Sequence, residues 1–477
     1  MRSCHAATPG TSPRTQQAME QLRSFIEGRR TSTKPVADLE AFERELHERV
    51  LAVERDAMAA ELARFDIDVP MVLIDGVPHQ QVLRCEETYW GVAGEVRVER
   101  SLYSARDGER SRCPMELRAG IVDGRWTPWA AQQATWIVAH LTPQDGETLY
   151  RQLGGLTPSK SSLDRLPKKL SERWEAGRFE WDDALRAQEE VPRAAVTVAV
   201  SLDGVLVPMK DGERLKKRQD SRMNGKRTKG PAGYCEASCG TLSFYDKDGE
   251  RLGTIRMARM PEAKKLTLKA MLTAELAHVQ AQRPDLVLVK LADGARDNWD
   301  YLSGELPEGI EVIDFYHAAE HLRLALSEAY GETNPKGLAQ FEKLRHVLLE
   351  DLDGADKVIR ALRYLRDRHP RRSRLQTELT YFRRNRERMN YAEMKADNLP
   401  IGSGVVEAAC KTLVTQRLKR SGMRWGIDGG QAILTLRSLL QSDRFEHAWR
   451  LLIATYRARV TVPKNLLAFP SRSGVNA

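Results

Sequence analysis

The sequence predicts an α/β fold: a mixed sheet with helices, interrupted by an all-α insertion and preceded by a mainly helical N-terminal region with a small β element. Two short apolar runs typical of buried strands occur at residues 195–202 and 285–291. An amphipathic pattern over residues 261–282 predicts a helix between them. Over residues 320–396, leucines recur among arginines at helical spacing. This last pattern predicts a helical segment that interrupts the α/β alternation.

The composition bounds the class of protein. At 477 residues the chain can form two or three domains, and 41% hydrophobic with 30% charged residues is typical of a soluble globular protein. The net charge of +9 favours a polyanionic partner, above all nucleic acid; a merely basic soluble protein is the alternative. No run resembles a membrane span or a signal peptide, and the six cysteines lack the spacing of a disulfide framework. We therefore expect a cytoplasmic protein without a membrane partner.

Composition and periodicity divide the chain into seven segments. They are a disordered leader (1–35), a helix with a small β element (36–125), a helix-turn-helix-like region with a linker (126–190), the first part of an α/β core (191–320), an all-α insertion (321–400), the second part of the core (401–460) and a tail (461–477).

Residues 126–190 contain the predicted DNA-binding region. Pro128, Pro143 and Ser159 mark the starts of three short helices, and glycines 154 and 155 form a tight turn before the third. A polar third helix after such a turn is typical of a helix-turn-helix. Small helices that only pack together are the alternative. The side chains predicted to contact DNA are Lys160, Arg165, Lys168 and Lys169.

Each of the two buried strands is followed by an aspartate. Asp203 comes directly after the run 195–202, and Asp293 comes shortly after the run 285–291. A carboxylate at the mouth of a buried strand is costly unless it is paired, and a cation is a usual partner. For Asp203, which precedes a glycine, a turn-forming Asp-Gly pair is the alternative.

A third carboxylate lies in the segment 401–411. Ser403 stands between two glycines and is a predicted N-cap, which puts Glu407 in the first turns of a helix. Lys411 would share its stripe, and a simple surface pair with Glu407 is the alternative. The predicted buried face of this helix consists of Val406, Ala409, Cys410, Leu413 and Val414.

A dense group of basic residues lies between the first two core strands, in residues 210–229. A plain solvated loop is the alternative, but beside Asp203 these residues would hold a phosphate backbone. The predicted DNA-contacting residues here and near the C-terminus are Lys216, Lys217, Arg218, Arg222, Lys226, Arg227, Lys229 and Arg424.

The order of the elements is that of a ribonuclease-H-like core. Three strands, a helix, a strand with an aspartate, a further strand and a helix with a glutamate follow one another. In that arrangement Asp203 and Asp293 would end adjacent strands, and the helix of Glu407 would lie over them. Three converging carboxylates suit two hard cations that hold the attacking and leaving oxygens of a phosphoryl displacement. The expected cofactor is a pair of Mg²⁺ ions, for which Mn²⁺ could substitute.

The chain resembles the DDE transposases of bacterial insertion sequences, above all the Kra-type family and, more distantly, the Mutator-like transposases. The matching pieces are Ser201-Leu-Asp203-Gly-Val, Leu291-Ala-Asp293-Gly-Ala, Asp314-x-x-His317, and Gly402-Ser-Gly-Val-Val-Glu407 with Lys411. The likeness covers residues 190–460, and the N-terminal part only in outline. Relatives often carry paired cysteines near residues 103–114, where this chain has Cys113 alone.

The resemblance implies a transposase that cuts DNA at the ends of an insertion sequence and transfers the 3′ ends to target DNA. It implies Asp203, Asp293 and Glu407 as metal ligands. Asp314, His317 and Lys411 would be accessory residues near the site; for His317, a structural hydrogen bond to Asp314 is the alternative. The implied partners are double-stranded DNA, both element ends and target, and further copies of the chain in a homodimer or higher oligomer. The implied location is the bacterial nucleoid.

Two other functions stay open. One is a ribonuclease-H-like nuclease without strand transfer. The other is a non-catalytic DNA-binding regulator derived from a transposase. The presence of all three acids argues against the regulator, since a non-catalytic descendant has no chemical need for them.

Overall fold

A computed structural model describes residues 12–31, 38–105, 110–210, 220–225 and 233–463. Over these residues the chain is a mixed α/β protein with two sheets, which confirms the predicted fold class at that level. It divides into two compact units. The first contains the described residues up to Gly177 and those from Glu446 onward; the second runs from Arg178 to Phe445. None of the described helices is long and apolar enough to cross a membrane.

The first unit combines an antiparallel sheet with helices. Its strands are β1 (Met71–Ile74), β2 (Val77–Gly91), β3 (Gly94–Ser104) and β9 (Val460–Thr461). They stand in the order β3-β2-β1-β9, and all neighbours are antiparallel. The helices before the second unit are α1 (Pro13–Thr31), α2 (Leu39–Ala63), α3 (Pro114–Ala119), α4 (Pro128–His140), α5 (Pro143–Leu153) and α6 (Lys160–Ala176).

The structure corrects three predictions for this unit. The predicted disordered leader contains helix α1, whose Phe25 stacks on Phe42 of α2 with the ring centroids 5.4 Å apart. Strand β2 was not predicted. The segment 401–460 does not belong wholly to the core, because Glu446 and later residues join the first unit, where Thr461 of the predicted tail pairs with Leu73. Such pairing between distant residues has no local sequence pattern.

The second unit is built on a five-stranded mixed sheet. Its strands are β4 (Thr197–Pro208), β5 (Tyr234–Tyr245), β6 (Arg251–Arg259), β7 (Val287–Ala292) and β8 (Ile310–Ile313). The order is β6-β5-β4-β7-β8; β4, β5 and β6 form an antiparallel meander, whereas β7 and β8 run parallel to β4. This topology places β4 at the centre, with an antiparallel neighbour on one side and a parallel neighbour on the other.

Helices connect and cover this sheet. They are α7 (Arg178–Arg186), α8 (Leu266–Gln282), α9 (Arg296–Gly304), α10 (Phe315–Tyr330), α11 (Pro335–Glu350), α12 (Gly354–Arg368), α13 (Ser373–Arg384), α14 (Tyr391–Ala396), α15 (Gly404–Ala409), a π-helical segment (Cys410–Thr415), α16 (Gln416–Leu418) and α17 (Ile427–Gln441). Helix α18 (Phe445–Ala454) belongs to the first unit from Glu446 onward. Residues 321–400 contain only helices and their connections, as the sequence predicted.

The two faces of the sheet carry different cores. On one face, Leu272 of α8 packs so closely on Gly240 that a Cβ there would lie 2.7 Å from it. On the other face, Cys239, the next residue along β5, shares a buried cluster with Val406 and Cys410 from α15 and the π-helical segment. Successive strand residues point to opposite faces. The helix of Glu407 therefore lies on the face of Cys239.

The predicted acidic linker before the core is instead helix α7. Its arginines are buried and pair with carboxylates of the second unit: Arg186 Nη1 lies 3.3 Å from Glu275 Oε1, which Arg444 Nη1 also approaches, at 2.6 Å. A buried charge is tolerated when it is paired in this way. The segment was predicted to be a linker because it is rich in Glu and Asp, whereas its buried arginines anchor it.

Candidate carboxylate centre

Strands β4 and β7 bring the two predicted aspartates together. The strands are parallel neighbours, and Ser201 pairs with Leu291. Asp203 lies two residues beyond Ser201, and Asp293 lies two residues beyond Leu291. Residues two apart share a face, and neighbouring strands lie about 4.8 Å apart, so the two carboxylates come from equivalent positions. Accordingly, the charge of Asp293 acts on Asp203 and adds to the rise in its pKa that burial causes.

Asp203 lies within its strand and not at its end. The sequence predicted that the strand stops at Leu202, but β4 continues to Pro208 and Asp203 pairs across the sheet with Cys239. The alternative of an Asp-Gly turn is therefore wrong. Sheet pairing with β5 along the whole of β4 overrides the local turn signal, because each backbone group finds a ladder partner.

Two weak donors contact the Asp203 carboxylate. The backbone N–H of Gly204 donates to Oδ1 at 2.6 Å, and the thiol of Cys410 donates to Oδ2 at 3.6 Å. Cys410 is buried on the segment that follows the Glu407 helix. Burial raises the pKa of Asp203, and the Gly204 hydrogen bond opposes that rise. This half-buried carboxylate has no direct arginine or lysine partner among the described residues.

Asp293 is held by its own loop on one oxygen only. The N–H of Ala295 and the side-chain amide of Asn298 both donate to Oδ1, each at 3.1 Å, and the indole of Trp299 donates to the backbone carbonyl at 2.6 Å. Within the described part of the chain no hydrogen-bond donor reaches Oδ2. The loop thus fixes the orientation of the carboxylate and leaves one oxygen available as a ligand.

A lysine in an unusual backbone conformation lies next to this pair. Lys264 and Lys265, just before α8, both have positive φ, 51° and 56°, which costs energy for residues with a side chain. Lys265 Nζ lies 2.9 Å from Glu236 Oε1 and 3.2 Å from the side-chain oxygen of Asn298. Through Asn298 it is connected to Asp293. Its positive charge lowers the pKa of Asp203 against the effect of burial.

Glu407 stands on the helix that contacts Asp203. It is exposed in α15, one turn before Cys410, and the Ser403 hydroxyl donates to its Oε1 at 2.9 Å. Ser403 is the N-cap residue of α15, as predicted, although its side chain makes no hydrogen bond to the helix backbone. The predicted apolar face is right: it is buried throughout, at Val406, Ala409, Cys410, Leu413 and Val414.

The accessory residues occupy different places. Asp314 is fully buried and caps α10: its Oδ1 accepts the His317 N–H at 2.6 Å, and its Oδ2 accepts the N–H of Ser403. It therefore ties the start of α10 to the loop that precedes Glu407. The sequence left open a structural hydrogen bond between His317 and Asp314. This bond forms, and its donor is the backbone N–H of His317. Lys411 is exposed, and no ion pair with Glu407 forms in the described chain.

The three acids do not form a complete metal site by themselves. Among the described residues, no group of three or more His, Cys, Asp or Glu side chains is arranged to hold a metal ion. Asp203 and Asp293 interact, whereas Glu407 reaches this pair only through its helix. The donors nevertheless fit Mg²⁺ or Mn²⁺ chemically, because carboxylate oxygens are their preferred ligands and Oδ2 of Asp293 has no competing donor.

Sequence reasoning missed the residues of the helical insertion that lie at Asp293. The ring of Tyr381, on α13, lies directly against Gly294, so a Cβ at Gly294 would collide with it. The imidazole of His321, on α10, stacks on this ring at 3.7 Å, and its Nδ1 lies 2.6 Å from Glu378 Oε2. No local pattern marks these residues. Only the packing of α10 and α13 beside the sheet brings them there.

The predicted DNA-contacting residues are exposed wherever the structure describes them. Lys160, Arg165, Lys168 and Lys169 are exposed on α6. Three of them form ion pairs: Arg165 with Asp123, Lys168 with Asp164 and Lys169 with Glu172. Arg222 and Arg424 are exposed as well. The remaining residues lie outside the described part of the chain: Lys216, Lys217, Arg218, Lys226, Arg227 and Lys229. The structure leaves their contact with DNA a prediction.

Comparisons with known proteins add little. No family model matches the chain. No curated protein matches it. Among solved structures, the Drosophila P element transposase strand transfer complex is similar at 12% sequence identity, over 69% of this chain and 82% of that one, with a TM-score of 0.23. A likeness at that TM-score carries no argument about fold or function.

Proposed function

We propose that this protein is a DDE transposase, with a ribonuclease-H-like core in its second unit. The observation that carries the proposal is the position of Asp203 and Asp293, each two residues beyond the paired residues Ser201 and Leu291 of adjacent parallel strands, where the charge of Asp293 acts on Asp203. The fold needs no like-charged pair at this edge of the sheet, and burial makes that pair costly. A cation bound between the two carboxylates in the functional protein would offset this cost.

The helix of Glu407 supports the same function. Cys410, one turn after Glu407, contacts the Asp203 carboxylate, so the segment that carries Glu407 packs against one of the two aspartates. Glu407 is exposed and bonded only weakly, to a serine hydroxyl, and can therefore join the two aspartates as a third ligand. Mg²⁺ bound there would supply a Lewis acid for phosphoryl transfer between a DNA phosphodiester and a water or 3′-hydroxyl.

The residues around the acids would prepare this centre for its ligands. Asn298 and the N–H of Ala295 orient the Asp293 carboxylate. Asp314 holds together the starts of α10 and the Glu407 loop. The exposed basic residues of α6, with Arg222 and Arg424, would hold the DNA backbones, which explains the net charge of +9. Two element ends must be joined, so a dimer or larger assembly on DNA belongs to the proposal.

The test is a cleavage and strand-transfer assay. Labelled duplexes from the DNA bordering the coding region are incubated with Mg²⁺ and either the unmodified protein or one of the variants Asp203→Ala, Asp293→Ala and Glu407→Ala. We expect cut and joined products with the unmodified protein, and neither with any variant, while DNA binding persists. Asp297→Ala is the matched control, since Asp297 is an exposed carboxylate only four residues from Asp293.

Three other outcomes change the conclusion. Cut products without joints would favour a ribonuclease-H-like nuclease. Binding without cutting, unaffected by the three substitutions, would favour a DNA-binding regulator. Loss of activity in Asp297→Ala to the same degree as in Asp293→Ala would mean that the site has been assigned wrongly.

A further inference from the structure

The hydroxyl of Tyr381 is buried beside Asp293 without a hydrogen-bond partner. Its oxygen is shielded from solvent, and among the described residues nothing donates to it or accepts from it. A buried hydroxyl without a partner destabilises the folded state, so natural proteins rarely keep one without a reason. Phenylalanine would fill the same space without that cost.

The surroundings hold the ring of Tyr381 firmly while leaving its hydroxyl unused. One face lies against the imidazole of His321, with an interplanar angle of 17°, and Glu378 fixes that imidazole through Nδ1. The edge of the ring lies against Gly294, the residue after Asp293. A side chain held from two sides in this way is oriented before any ligand arrives.

The charges around the hydroxyl are negative. Burial raises the pKa of Tyr381, and the carboxylates of Asp293, Asp314 and Glu378 raise it further. The phenol therefore stays protonated at neutral pH and can act only as a donor toward a carboxylate. Asp314 already accepts two backbone hydrogen bonds, and Glu378 is engaged by His321. Asp293 is the carboxylate with an oxygen, Oδ2, that no described donor reaches.

We propose that Tyr381 is a positioning residue for the cation site: when a divalent cation binds, its hydroxyl donates a hydrogen bond to Asp293 and fixes that carboxylate as a ligand. This inference rests on the proposed function. It assigns the helical insertion a role in orienting the Asp293 carboxylate, because Tyr381 and Glu378 lie on α13 and His321 lies on α10. Hydrogen bonds to ligating carboxylates typically change metal affinity 10- to 100-fold.

Tyr381→Phe separates this role from a structural one. The variant removes only the unused hydroxyl, so we expect a melting temperature equal to or above that of the unmodified protein. Tyr391→Phe is the control in which a used hydroxyl is removed. The buried hydroxyl of Tyr391 donates to the carbonyl of Ile313 at 2.9 Å, so this variant should have a lower melting temperature. A drop for Tyr381→Phe as large as that for Tyr391→Phe would overturn the proposal.

The deciding measurement is the affinity for Mn²⁺, by calorimetric titration of the full chain without DNA. We expect Tyr381→Phe to weaken binding about 10-fold or more. The matched control is Tyr150→Phe, because Tyr150 also has a buried hydroxyl without a partner among the described residues but lies on α5 of the first unit. That control should bind Mn²⁺ like the unmodified protein.

Asp293→Ala distinguishes the two ways to fail. If Asp293→Ala abolishes Mn²⁺ binding while Tyr381→Phe binds like Tyr150→Phe, the inference about Tyr381 is wrong and the proposed function is untouched. If Asp293→Ala binds Mn²⁺ like the unmodified protein, the cation site itself is misplaced and both proposals fall.

Discussion

Carboxylates near the two sheets of this protein have opposite surroundings: paired with a cation near the first, and beside another carboxylate near the second. In the first unit, Arg100 lies between Glu87 and Glu116, with its Nη2 2.6 Å from Glu87, and the hydroxyl of Tyr89 donates to Glu116 at 2.8 Å. In the second unit, Asp203 stands beside Asp293, and the described residues donate to it only a backbone N–H and a thiol. The first sheet uses charge to stabilise its fold. The second carries charge that its fold does not need.

The pKa shifts express the same contrast. Burial raises the pKa of both Glu116 and Asp203. At Glu116 the guanidinium of Arg100 opposes that rise. At Asp203 the neighbouring Asp293 adds to it, and Lys265 opposes it. A buried carboxylate whose neighbour is another carboxylate is the pattern of functional sites, where a ligand supplies the missing charge.

The largest expected effect is on activity, from Asp203→Asn. Removing the charge should lower DNA cleavage about 10³-fold or more, because the side chain would be a main catalytic group. The same change should leave the melting temperature equal or raise it, since it relieves repulsion with Asp293. Cleavage assays and thermal unfolding on one preparation check both. An Asp203→Asn protein that unfolds at a clearly lower temperature would show a structural role instead.

Glu116→Gln should have the opposite effect on stability. Loss of this carboxylate leaves Arg100 with Glu87 alone in a largely buried place, and the free energy of unfolding should fall by about 3 kcal/mol. Denaturant unfolding followed by circular dichroism measures this change. Cleavage per folded molecule should not change. If Glu116→Gln is as stable as the unmodified protein, the contrast between the sheets does not hold.

Asp182 tests whether a carboxylate paired with an arginine in the second unit contributes to stability as the arginine-paired carboxylates of the first unit do. Burial raises its pKa to about 6, with Arg178 opposing, from the ordinary value of 3.8. The folded state holds the proton more tightly, so its contribution to stability is present below about pH 4 and is lost as the pH rises through about 6, by about 3 kcal/mol in all.

Asp182→Asn removes this titrating group and its pH dependence. The melting temperature of the variant relative to the unmodified protein should therefore rise between pH 4 and pH 7, as scanning calorimetry across that range would detect. A difference that is constant with pH would mean that Asp182 is ionised throughout this range.

The smallest expected effect is from the cation itself. Mg²⁺ at ten times its dissociation constant should stabilise the protein by about 1.4 kcal/mol, because it binds the folded form only. Asp203→Asn should show no such gain, whereas Glu116→Gln should show all of it. Differential scanning fluorimetry with and without Mg²⁺ measures the shift. Equal shifts in all three proteins would place the bound ion elsewhere.

Much of the core could be predicted from the sequence because its signals are local. The apolar run of β7, the buried face of α15 and the all-helical insertion followed from hydrophobic periodicity, which a chain must satisfy to bury those residues. Where local signals competed with sheet pairing, the prediction was wrong: the Asp-Gly pair at Asp203 reads as a turn, but lies inside β4 because β5 pairs along its whole length. Helix α7 was predicted to be a linker because the local sequence does not show that Arg186 pairs with the distant Glu275.

The sequence by itself determined many of the core elements and singled out Asp203, Asp293 and Glu407 as candidate acids, since both inferences depend on neighbours along the chain. Only the tertiary structure decided what surrounds those acids. The register of β4 with β7 sets Asp203 beside Asp293, and the packing of α10 and α13 puts His321 and Tyr381 at Gly294. The tertiary structure likewise decided that the residues from Glu446 onward belong to the first unit. These contacts link residues far apart in sequence, and they are chosen by the free energy of the whole fold.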